Sequence, residues 1–369
     1  MANKLRVGIL FGGKSAEHEV SLQSAKNVYD AIDRDKYEPL LIGIDKNGRW
    51  LLNDESRFLL NANDPKNIRL NPSSDEVALI PQSKGAISNL SAAKDDKAFH
   101  REAAIDVVFP ILHGPFGEDG TVQGLLKLAE IPFVGAGVLA SAVGMDKDVM
   151  KRLLRDAGLP IGKFIVLHSG DNIPDYNEVC THLGSPLFIK PANMGSSVGI
   201  SKVNDKQKFL AAVNEAFEYD TKVIIEEFIP GREIECSVLG GREITASAPG
   251  EVKSNQEFYS YDAKYIDENG AELIIPANLP AETAERVRKL AVAVFKSLCC
   301  EGLARVDVFL KENGEIVVNE INTMPGFTKI SMYPKLWEAS GLSYTKLIDR
   351  LIELALERFE KERKLKTSV

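Results

Sequence analysis

Hydrophobic residues in the first third of the chain occur alternately in short continuous runs and in helical stripes. Residues 5–11 form an apolar run of strand length that ends at a Gly-Gly pair, and a stripe of helical period follows it. Runs at 39–44 and 106–111 predict two further strands. Apolar residues spaced i, i+3, i+4 and i+7 predict a helix over 121–129. Strands that alternate with helices are typical of an open α/β domain.

The rest of the chain is longer than one such domain needs. Residues 53–104 are polar and weakly periodic, and we expect a surface insertion there with little chemistry. Further predicted elements are helices at 146–157, 211–217, 281–297 and 344–361, and strands at 163–167, 187–190, 222–227 and 233–239. A length of 369 residues suggests two or three domains. We predict an α/β (α+β) fold of three domains at 1–140, 141–221 and 222–369.

Two strands near the C-terminus, 304–310 and 316–322, are joined by a segment that contains Asn-Gly, a strong hairpin signal. A two-residue turn at Asn313-Gly314 would place Asp307 opposite Glu320 and Arg305 opposite Asn322. Because side chains alternate along a strand, these four project from one face, with opposed Cβ atoms about 4.5–5.5 Å apart. Two carboxylates at this separation repel each other unless a cation lies between them. Oxygen ligands of this kind suit Mg²⁺ or Mn²⁺.

The alternative for this hairpin is a solvated face that carries only an Arg305–Asp307 ion pair. The apolar residues on the other face favour the metal site, because they predict a core that fixes the pairing; they are Val306, Val308, Leu310, Val317 and Ile321. An arginine beside the metal acids would suit phosphate charge. The hairpin therefore predicts a site for metal-assisted phosphoryl transfer.

A loop rich in glycine and serine, Lys190-Pro-Ala-Asn-Met-Gly-Ser-Ser-Val-Gly199, follows one of the predicted strands. Glycines let a backbone approach a phosphate, and serine hydroxyls add donors. The loop lacks the Gly-Lys-Ser/Thr ending of a Walker A sequence, so alone it is a weak signal and an ordinary turn is the default. Lys190 and the metal hairpin favour a nucleotide loop.

Three other polar segments have both a structural and a functional interpretation. Glu226-Glu227 ends an apolar strand, where paired acids usually face solvent but could also mark a hinge beside a base, with Glu233 near ribose hydroxyls. Glu17 lies in the first turn after the Gly-Gly pair, where it could complement the helix dipole or bind a substrate ammonium. His113 ends a buried strand, and the glycines that follow it leave structural and substrate-contact roles equally open.

Composition excludes several classes of protein. The formal net charge is 45 − 53 = −8 with both signs interspersed, which argues against nucleic-acid binding and gives no polybasic membrane anchor. No apolar run approaches the length of a transmembrane helix, and no signal-peptide pattern opens the chain. The four cysteines lack metal-ligand spacing. We expect a soluble, reduced, cytoplasmic protein.

In combination these segments resemble the D-alanine–D-alanine ligase family of the ATP-grasp superfamily. The resemblance covers almost the whole chain, and the order of its motifs is far more specific than any one of them. The matching segments are 12–22 with Gly-Gly-Lys-Ser-Ala-Glu-His-Glu, 113–120 with His-Gly and Gly-Glu-Asp-Gly, Met145-Asp-Lys147, the 190–199 loop, Arg305-Val-Asp307, and Asn319-Glu-Ile-Asn-Thr-Met-Pro-Gly326.

The resemblance implies a three-domain ATP-grasp fold with ATP between the central and C-terminal domains. It assigns phosphate charge to Lys147 and Lys190, the adenine edge to the backbone of 226–229, and the ribose to Glu233. Two Mg²⁺ or Mn²⁺ ions would be held by Asp307, Glu320 and Asn322. The residues assigned to the nucleotide are Lys147, Lys190, Ser196, Ser197, Glu226, Glu227, Ile229, Glu233, Lys264, Asn319 and Glu320.

For the reaction, the resemblance implies that one D-alanine carboxylate attacks the γ-phosphate to give an acyl phosphate. The amine of a second D-alanine would then displace phosphate. Glu17 would hold the first ammonium with His113 nearby, Gly326 and Ser331 would recognise the second substrate, and Arg305 would stabilise the transferring phosphoryl group. Lys264 and Tyr265 would belong to a loop that closes over ATP, with Tyr265 hydrogen-bonded to Ser196 and Glu17. Phe116 and Met194 have no assigned role.

Two alternatives stay open from the sequence. One is a D-alanine–D-lactate ligase, against which Tyr265 counts; the other is a non-catalytic ATP- or metal-binding regulator on the same fold. A homodimer is expected, and no nucleic-acid or membrane partner.

Overall fold

The structure is a computed structural model, and it describes residues 4–55, 58–62, 64–72, 75–81, 84–90, 101–254 and 271–366. Lys264 and Tyr265, which the sequence assigns to a lid, lie outside the described residues. The described chain contains three larger sheets and two small ones. The fold is mixed α/β, as the hydrophobic pattern predicts.

The first sheet has the strand order β3-β2-β1-β9, in which β2, β1 and β9 are parallel. Its central strand β1 is buried on both faces, since Ile9 and Leu10 are both inaccessible to solvent. The elements of this part are β1 (Leu5–Gly12), α1 (His18–Ala31), β2 (Tyr37–Ile44), β3 (Trp50–Asn53), β9 (Val107–Ile111) and α2 (Thr121–Leu128). The predicted strands and helices are present, and the loops after β1 and β9 meet at one edge of the sheet.

The polar segment between β3 and β9 forms two small antiparallel sheets. They consist of β4 (Leu59–Leu60) with β5 (Arg69–Leu70), and of β6 (Val77–Leu79), β7 (Ala86–Asn89) and β8 (Arg101–Ala104). Phe58 packs edge-on against Phe11 with ring centroids 5.6 Å apart, and Ile68 is buried in the same cluster. The insertion is therefore anchored to the first sheet by a few apolar residues.

A second sheet, antiparallel throughout, has the order β10-β13-β11-β12. Its elements are β10 (Phe164–His168), α5 (Tyr176–Leu183), β11 (Leu187–Pro191), β12 (Ser201–Val203), α6 (Lys206–Phe217) and β13 (Lys222–Glu227). Helices α3 (Val138–Met145) and α4 (Lys147–Asp156) precede it. Asp146 caps α4, because its side chain accepts from the backbone N–H groups of Asp148 and Val149 at 3.1 Å. The cap fixes Lys147 at the first position of the helix.

The third sheet has the order β17-β16-β14-β18-β19, with β15 on the side of β14. Its strands are β14 (Arg232–Gly240), β15 (Ile244–Ala246), β16 (Gly250–Ser254), β17 (Ala271–Ile274), β18 (Gly302–Leu310) and β19 (Ile316–Asn322). Helix α7 (Ala281–Ser297) packs on it, and α8 (Met332–Ala339) and α9 (Tyr344–Glu362) follow. The three-domain division of the chain stays a prediction.

The first and third sheets are joined through one hydrophobic cluster. Side chains of β1 and α1 pack in it with Phe327, Tyr333 and the apolar face of α9. Lys36 adds an ion pair to Asp349 at 2.5 Å. The loops after β1 and β9 are thus held against the third sheet.

The hairpin of β18 and β19 has the predicted pairing at the polar residues but not the predicted turn. Asp307 pairs with Glu320 and Arg305 with Asn322. The turn is a three-residue loop over 312–314, with Gly314 at φ 81°, and not a two-residue Asn-Gly turn. Asn319 is an extra residue of β19 where the register shifts, and this bulge offsets the longer loop. It also places Val317 opposite Phe309, so the assignment of Val317 to the Val306 face is wrong.

Candidate functional site

Polar side chains gather on one face of the third sheet, where β14, β18 and β19 lie side by side. Asp307 pairs with Glu235 on one side and with Glu320 on the other, and Arg305 pairs with Ser237 and Asn322. Paired residues of neighbouring strands share a face. The carboxylates of Glu235, Asp307 and Glu320 therefore lie on the same face as Arg305. We call this set the site face: Glu233, Glu235, Arg305, Asp307, Glu320 and Asn322.

Arg305 is held by two of these carboxylates. Its Nε and Nη2 donate to Oδ1 and Oδ2 of Asp307, both at 2.7 Å, and Nε lies 2.8 Å from Oε2 of Glu235. Asn322 Nδ2 donates to Asp307 Oδ2 at 2.9 Å. Asp307 is only 2% exposed. The ion pair that the sequence offers as an alternative is therefore present, within a buried network and not on a solvated face.

Glu235 is a site residue that the sequence does not reveal. It is 4% exposed and reaches the site face because β14 pairs with β18 in antiparallel register. Glu235 lies two positions after Glu233, and residues two apart in a strand share a face, so the sequence contained one indication that Glu235 belongs to the site. The pairing of strands more than 60 positions apart was not readable from the sequence.

The chemistry of the donors fits a hard divalent cation. Among the described residues, no three His, Cys, Asp or Glu side chains form a preassembled metal cage. The predicted set has two carboxylates and one amide, Asp307, Glu320 and Asn322, and they share the site face. Mg²⁺ is usually bound through one or two carboxylates together with substrate phosphates. The set therefore suits a metal that arrives with a phosphate ligand.

Glu226, at the end of β13, is clamped by two lysines. Lys151 Nζ lies 2.6 Å from Oε1 of Glu226, and Lys190 Nζ lies 2.5 Å from Oε2. Burial alone would raise the pKa of Glu226, but the two ammonium groups outweigh it and hold this pKa at about 2. Glu226 is thus a fixed anion. Lys151 was not among the predicted site residues.

Lys147 donates two hydrogen bonds to backbone carbonyls of the glycine–serine loop. Its backbone N–H donates to the Ala192 carbonyl at 3.0 Å, and its Nζ donates to the Met194 carbonyl at 2.6 Å. Burial lowers the pKa of Lys147. Ser196 and Ser197 in the loop adopt left-handed backbone conformations with φ 50° and 63°. Serine hydroxyl groups in such a loop are donors that a bound phosphate could use.

A cavity of about 540 Å³ lies between the second and third sheets. Phe188, Phe228 and Ile229 form its apolar end, and Lys190 lies near them, with its Nζ 5.8 Å from the Phe188 ring centroid. The serines of the loop and Glu320 also line the cavity. Glu233 and Asn319 also line it, whereas Arg305 and Asp307 do not. We call it the large cavity. Its volume and its apolar end suit a nucleotide.

A small polar cavity of about 80 Å³ adjoins the large cavity and shares Lys147, Ser196 and Glu320 with it. Strands of the third sheet line this small cavity, together with loops that follow strands of the first and second sheets. Those that the sequence predicts are Glu17, Lys147, Ser196, Glu233, Arg305, Asp307, Glu320, Asn322, Gly326 and Ser331. The structure therefore brings these ten residues together, whereas the predicted substrate residue His113 lines neither of the two cavities.

Glu17 closes one side of the small cavity. It is 5% exposed and accepts a hydrogen bond from Ser196 Oγ of the glycine–serine loop. A Cβ added at Gly114 would lie 2.6 Å from Oε2 of Glu17, and one added at Gly195 would lie 2.9 Å from it. The carboxylate is thus packed between two backbones that have no side chain at that point.

His113 and Glu118, from the loop after β9, tie the first sheet to the loop after β19. His113 Nδ1 lies 2.9 Å from the Met324 carbonyl, which assigns its proton to Nδ1, and Nε2 lies 3.3 Å from Ser24 Oγ. Burial lowers the pKa of His113 to about 4. Its described contacts are with protein groups, and its substrate contact stays a prediction.

Glu118 was missed as a site residue although it lies in the Gly-Glu-Asp-Gly segment. Its carboxylate accepts backbone N–H groups of Gly114 at 2.9 Å and Met324 at 3.2 Å, and it lines the small cavity. Burial and the neighbouring Glu17 carboxylate raise the pKa of Glu118 to about 8. In the ligand-free protein it holds a proton at neutral pH.

Ser331 is the N-cap residue that precedes α8, and its Oγ accepts from the Thr328 backbone N–H at 3.0 Å. Glu227 accepts from the Lys163 backbone N–H at 2.7 Å. Of the two loop residues without an assigned role, Met194 provides the carbonyl for Lys147, and Phe116 has φ 67° and lies under the Lys14 ammonium at 5.3 Å.

Within the described ranges, no helix is both long and apolar enough to cross a membrane.

Two family models match the chain, one described as D-ala D-ala ligase N-terminus over residues 6–136 and one as D-ala D-ala ligase C-terminus over residues 153–353. A D-alanine–D-alanine ligase of Shouchella clausii is 56% identical over 369 residues, covering 99% of this chain and 98% of the relative.

Solved structures of ligases are also similar to this chain over almost its whole length. A D-alanine–D-alanine ligase from Coxiella burnetii has a TM-score of 0.85 at 38% identity, covering 98% of this chain and 97% of the other. The VanG D-Ala:D-Ser ligase of Enterococcus faecalis has a TM-score of 0.83 at 38% identity, with 96% and 100% covered. A Bacillus anthracis D-alanine–D-alanine ligase complexed with ATP has a TM-score of 0.71 at 31% identity, with 97% and 99% covered.

Proposed function

Because the chain belongs to the D-alanine–D-alanine ligase family, we propose that it joins two D-alanine molecules to D-alanyl-D-alanine, a peptidoglycan precursor, while ATP is converted to ADP and phosphate. The observation that carries the proposal is the junction of the two cavities. A nucleotide-sized cavity adjoins a small polar one and shares Lys147, Ser196 and Glu320 with it, and Arg305 lines only the small one. This is the arrangement that transfer of a terminal phosphoryl group to a small carboxylic acid requires.

ATP would occupy the large cavity with its base at the apolar end and its phosphates at the glycine–serine loop. Phe188 and Phe228 form a tilted ring pair with centroids 6.1 Å apart and give the base an aromatic wall. Lys147 and Lys190, which line the cavity, would neutralise phosphate charge, and Glu233, which also lines it, would bind ribose hydroxyls. The lid residues Lys264 and Tyr265 belong to this proposal from the sequence alone.

Asp307, Glu320 and Asn322 would hold Mg²⁺ or Mn²⁺. Glu320 lines both cavities and Asp307 lines only the small one, so the set spans the junction. The metal would supply positive charge to the phosphates and to the transferring phosphoryl group. Before ligands bind, Arg305 and Asn322 satisfy the Asp307 carboxylate, which keeps the network folded without a cation.

The first D-alanine would lie in the small cavity with its ammonium on Glu17 and its carboxylate toward the junction. A carboxylate is a poor acyl donor, and phosphorylation supplies the missing leaving group. One carboxylate oxygen attacks the γ-phosphorus, ADP leaves, and an acyl phosphate forms. The neutral amine of a second D-alanine, which would be held through Gly326 and Ser331, then attacks the acyl carbon. The bond from that carbon to the phosphate oxygen breaks, and phosphate leaves with one amine proton as the amide forms.

Arg305 would stabilise the charge that develops in both steps. It lines the small cavity and is held in place by Asp307 and Glu235, so its orientation is set before substrates bind. Phosphoryl transfer depends on positioning and charge neutralisation more than on covalent protein chemistry. A homodimer and a cytoplasmic location stay predictions from the sequence.

The test is a phosphate-release assay with ATP and Mg²⁺ and mass analysis of the product. D-alanine should support turnover and yield D-alanyl-D-alanine, whereas L-alanine should not. D-alanine with D-lactate, or with D-serine, identifies a ligase with another second substrate. Absence of turnover with all acceptors, with ATP still bound, would establish the non-catalytic alternative.

Gly195→Ala tests the packing of Glu17. Alanine is allowed at this backbone, but its Cβ would lie 2.9 Å from Glu17 Oε2 and displace the carboxylate. A displacement of this size in a substrate site is expected to lower kcat/KM for D-alanine by about 10-fold to 100-fold. Gly124→Ala, with open space around its Cβ, is the matched control and should keep normal kinetics. Equal kinetics of both variants would contradict the role of Glu17.

Glu118 should link D-alanine binding to pH. Its pKa of about 8 lies above the ordinary 4.5, so its contribution to stability is complete at low pH and is lost as pH rises from about 4.5 through 8. An ammonium bound at Glu17 offsets the repulsion between the two carboxylates, lowers the Glu118 pKa and releases a proton. Calorimetric titration of D-alanine at pH 7.5 should therefore give heats that depend on the buffer. Glu118→Gln should abolish that dependence, and buffer-independent heats in the wild type would refute the link.

A further inference from the structure

Lys151 has a different environment from the other cations of the large cavity. It lies on α4, is 3% exposed, and its Nζ is 2.6 Å from Glu226 Oε1. It also lies 5.8 Å from the ring centroid of Phe164. A buried lysine is rarely retained without a partner, and here the partner is one oxygen of a buried carboxylate.

Lys190 occupies the other oxygen of Glu226, so the same carboxylate serves two lysines. The two are not equivalent. Lys190 directly precedes the glycine–serine loop, and its proposed partner is nucleotide phosphate. When a phosphate competes for Lys190, Lys151 is the cation that continues to hold Glu226. Lys151 is therefore the lysine that keeps the Glu226 carboxylate in place when a nucleotide is bound.

Glu226 borders the end of the large cavity where a base would lie, together with Phe188, Phe228 and Ile229. Two of the roughly four acceptor positions of its carboxylate point to the lysines, which leaves acceptor capacity for a third donor. An ionised carboxylate only accepts hydrogen bonds. It therefore favours a base that presents an amino group and disfavours one that presents a carbonyl oxygen.

We propose that Lys151 is a positioning residue for nucleotide choice, which fixes the Glu226 carboxylate as an acceptor and thereby selects a 6-amino purine over a 6-oxo purine. The inference rests on the proposed use of ATP and goes beyond it, because it assigns base selection to a lysine that acts through the carboxylate it holds. Sites built around a specific hydrogen bond reject a ligand that leaves the buried group unpaired.

The test compares binding of MgATP and MgITP by calorimetry without D-alanine, since ITP differs from ATP at position 6 of the base and the linked N1. Lys151→Met keeps the aliphatic stem and removes the ammonium. It should weaken MgATP binding by about 10-fold to 100-fold and change MgITP binding by less than about 3-fold, as expected for loss of one charge-assisted contact. Lys151→Arg should restore the preference for ATP.

Lys202→Met is the matched control, because Lys202 lies over the Phe228 ring at 5.1 Å and has no contact with Glu226 among the described ion pairs. It should keep the ATP/ITP ratio. Glu226→Gln is a second variant that keeps both lysines, and its amide group accepts either base, so the ratio should fall. An unchanged ratio in Lys151→Met or in Glu226→Gln overturns the proposal.

These outcomes are distinguishable from failure of the proposed function. Ligation is measured separately, as phosphate release with D-alanine in the wild type. A wild type that binds MgATP without ligating D-alanine refutes the ligase proposal but leaves the base-selection result valid. A wild type that ligates D-alanine but binds MgITP as tightly as MgATP refutes the role of Lys151 alone.

Discussion

Asp307→Asn is expected to lower kcat by about 10³-fold or more, because it removes a negative charge from the metal-binding set at the point where phosphoryl charge must be neutralised. The fold should persist. Breaking a buried ion pair typically destabilises a protein by about 3–5 kcal/mol, but Glu235 still holds Arg305 at 2.8 Å in the variant. Asparagine also relieves repulsion among three neighbouring carboxylates.

The measurement is steady-state kinetics over a Mg²⁺ series, with Mn²⁺ binding followed by electron paramagnetic resonance in the presence of nucleotide. The variant should bind Mn²⁺ more weakly and should not regain normal kcat at any Mg²⁺ concentration. Asp349→Asn is the matched control, since this acid pairs with Lys36 away from the site. Near-normal turnover of Asp307→Asn at ordinary Mg²⁺ would remove Asp307 from the metal set.

The hairpin shows why the sequence predicts the site better than the turn that supports it. The polar residues pair as expected, although the loop has three residues and not two. The bulge at Asn319 offsets the difference, and a bulge has no reliable sequence signal. The pairing that the metal set needs was predicted because two carboxylates and an apolar face restrict the register more strongly than Asn-Gly does.

Residues that reach the site through long-range packing were not predictable. Glu235 depends on the pairing of β14 with β18, Glu118 on the approach of the β9 loop to Met324, and Lys151 on the packing of α4 near β13. Glu235 and Lys151 are ordinary charged residues in their local sequence, and Glu118 lies in the Gly-Glu-Asp-Gly segment but had no role assigned from it. Only the fold shows what surrounds them. Lys151 and Glu235 each lie beside an opposite charge, and Glu118 lies beside a like charge and a backbone N–H donor.

The insertion at 53–104 is a part of the chain whose fold could not be predicted from the sequence. Its weak periodicity gave no prediction of how it folds, because strands of two to four residues are too short to show alternation. The described residues nonetheless form small sheets, and Phe58 and Ile68 anchor them to the first sheet. Burial of two side chains decided the packing, and no pattern of that length distinguishes them from exposed apolar residues.

Arg305→Lys is expected to lower kcat by about 10²–10³-fold while leaving KM for ATP within about 3-fold of the wild type. The reason is the place of the guanidinium. It lines the small cavity and not the large one, so it should meet charge that develops during transfer and contribute little to ground-state nucleotide binding. Its planar fork binds both oxygens of Asp307 and approaches Glu235, which fixes its orientation.

Lysine keeps the charge but has a single ammonium on a flexible stem, so it cannot reproduce that orientation. The measurement is kcat and KM for ATP and D-alanine, with thermal unfolding to confirm the fold. Arg288→Lys is the control, because Arg288 donates to the Ala246 carbonyl at 3.0 Å on the same sheet but away from both cavities. If Arg305→Lys raises only KM for ATP and leaves kcat normal, Arg305 contributes to nucleotide binding. The stabilisation of transferring charge would then have to come from the metal set and Lys147.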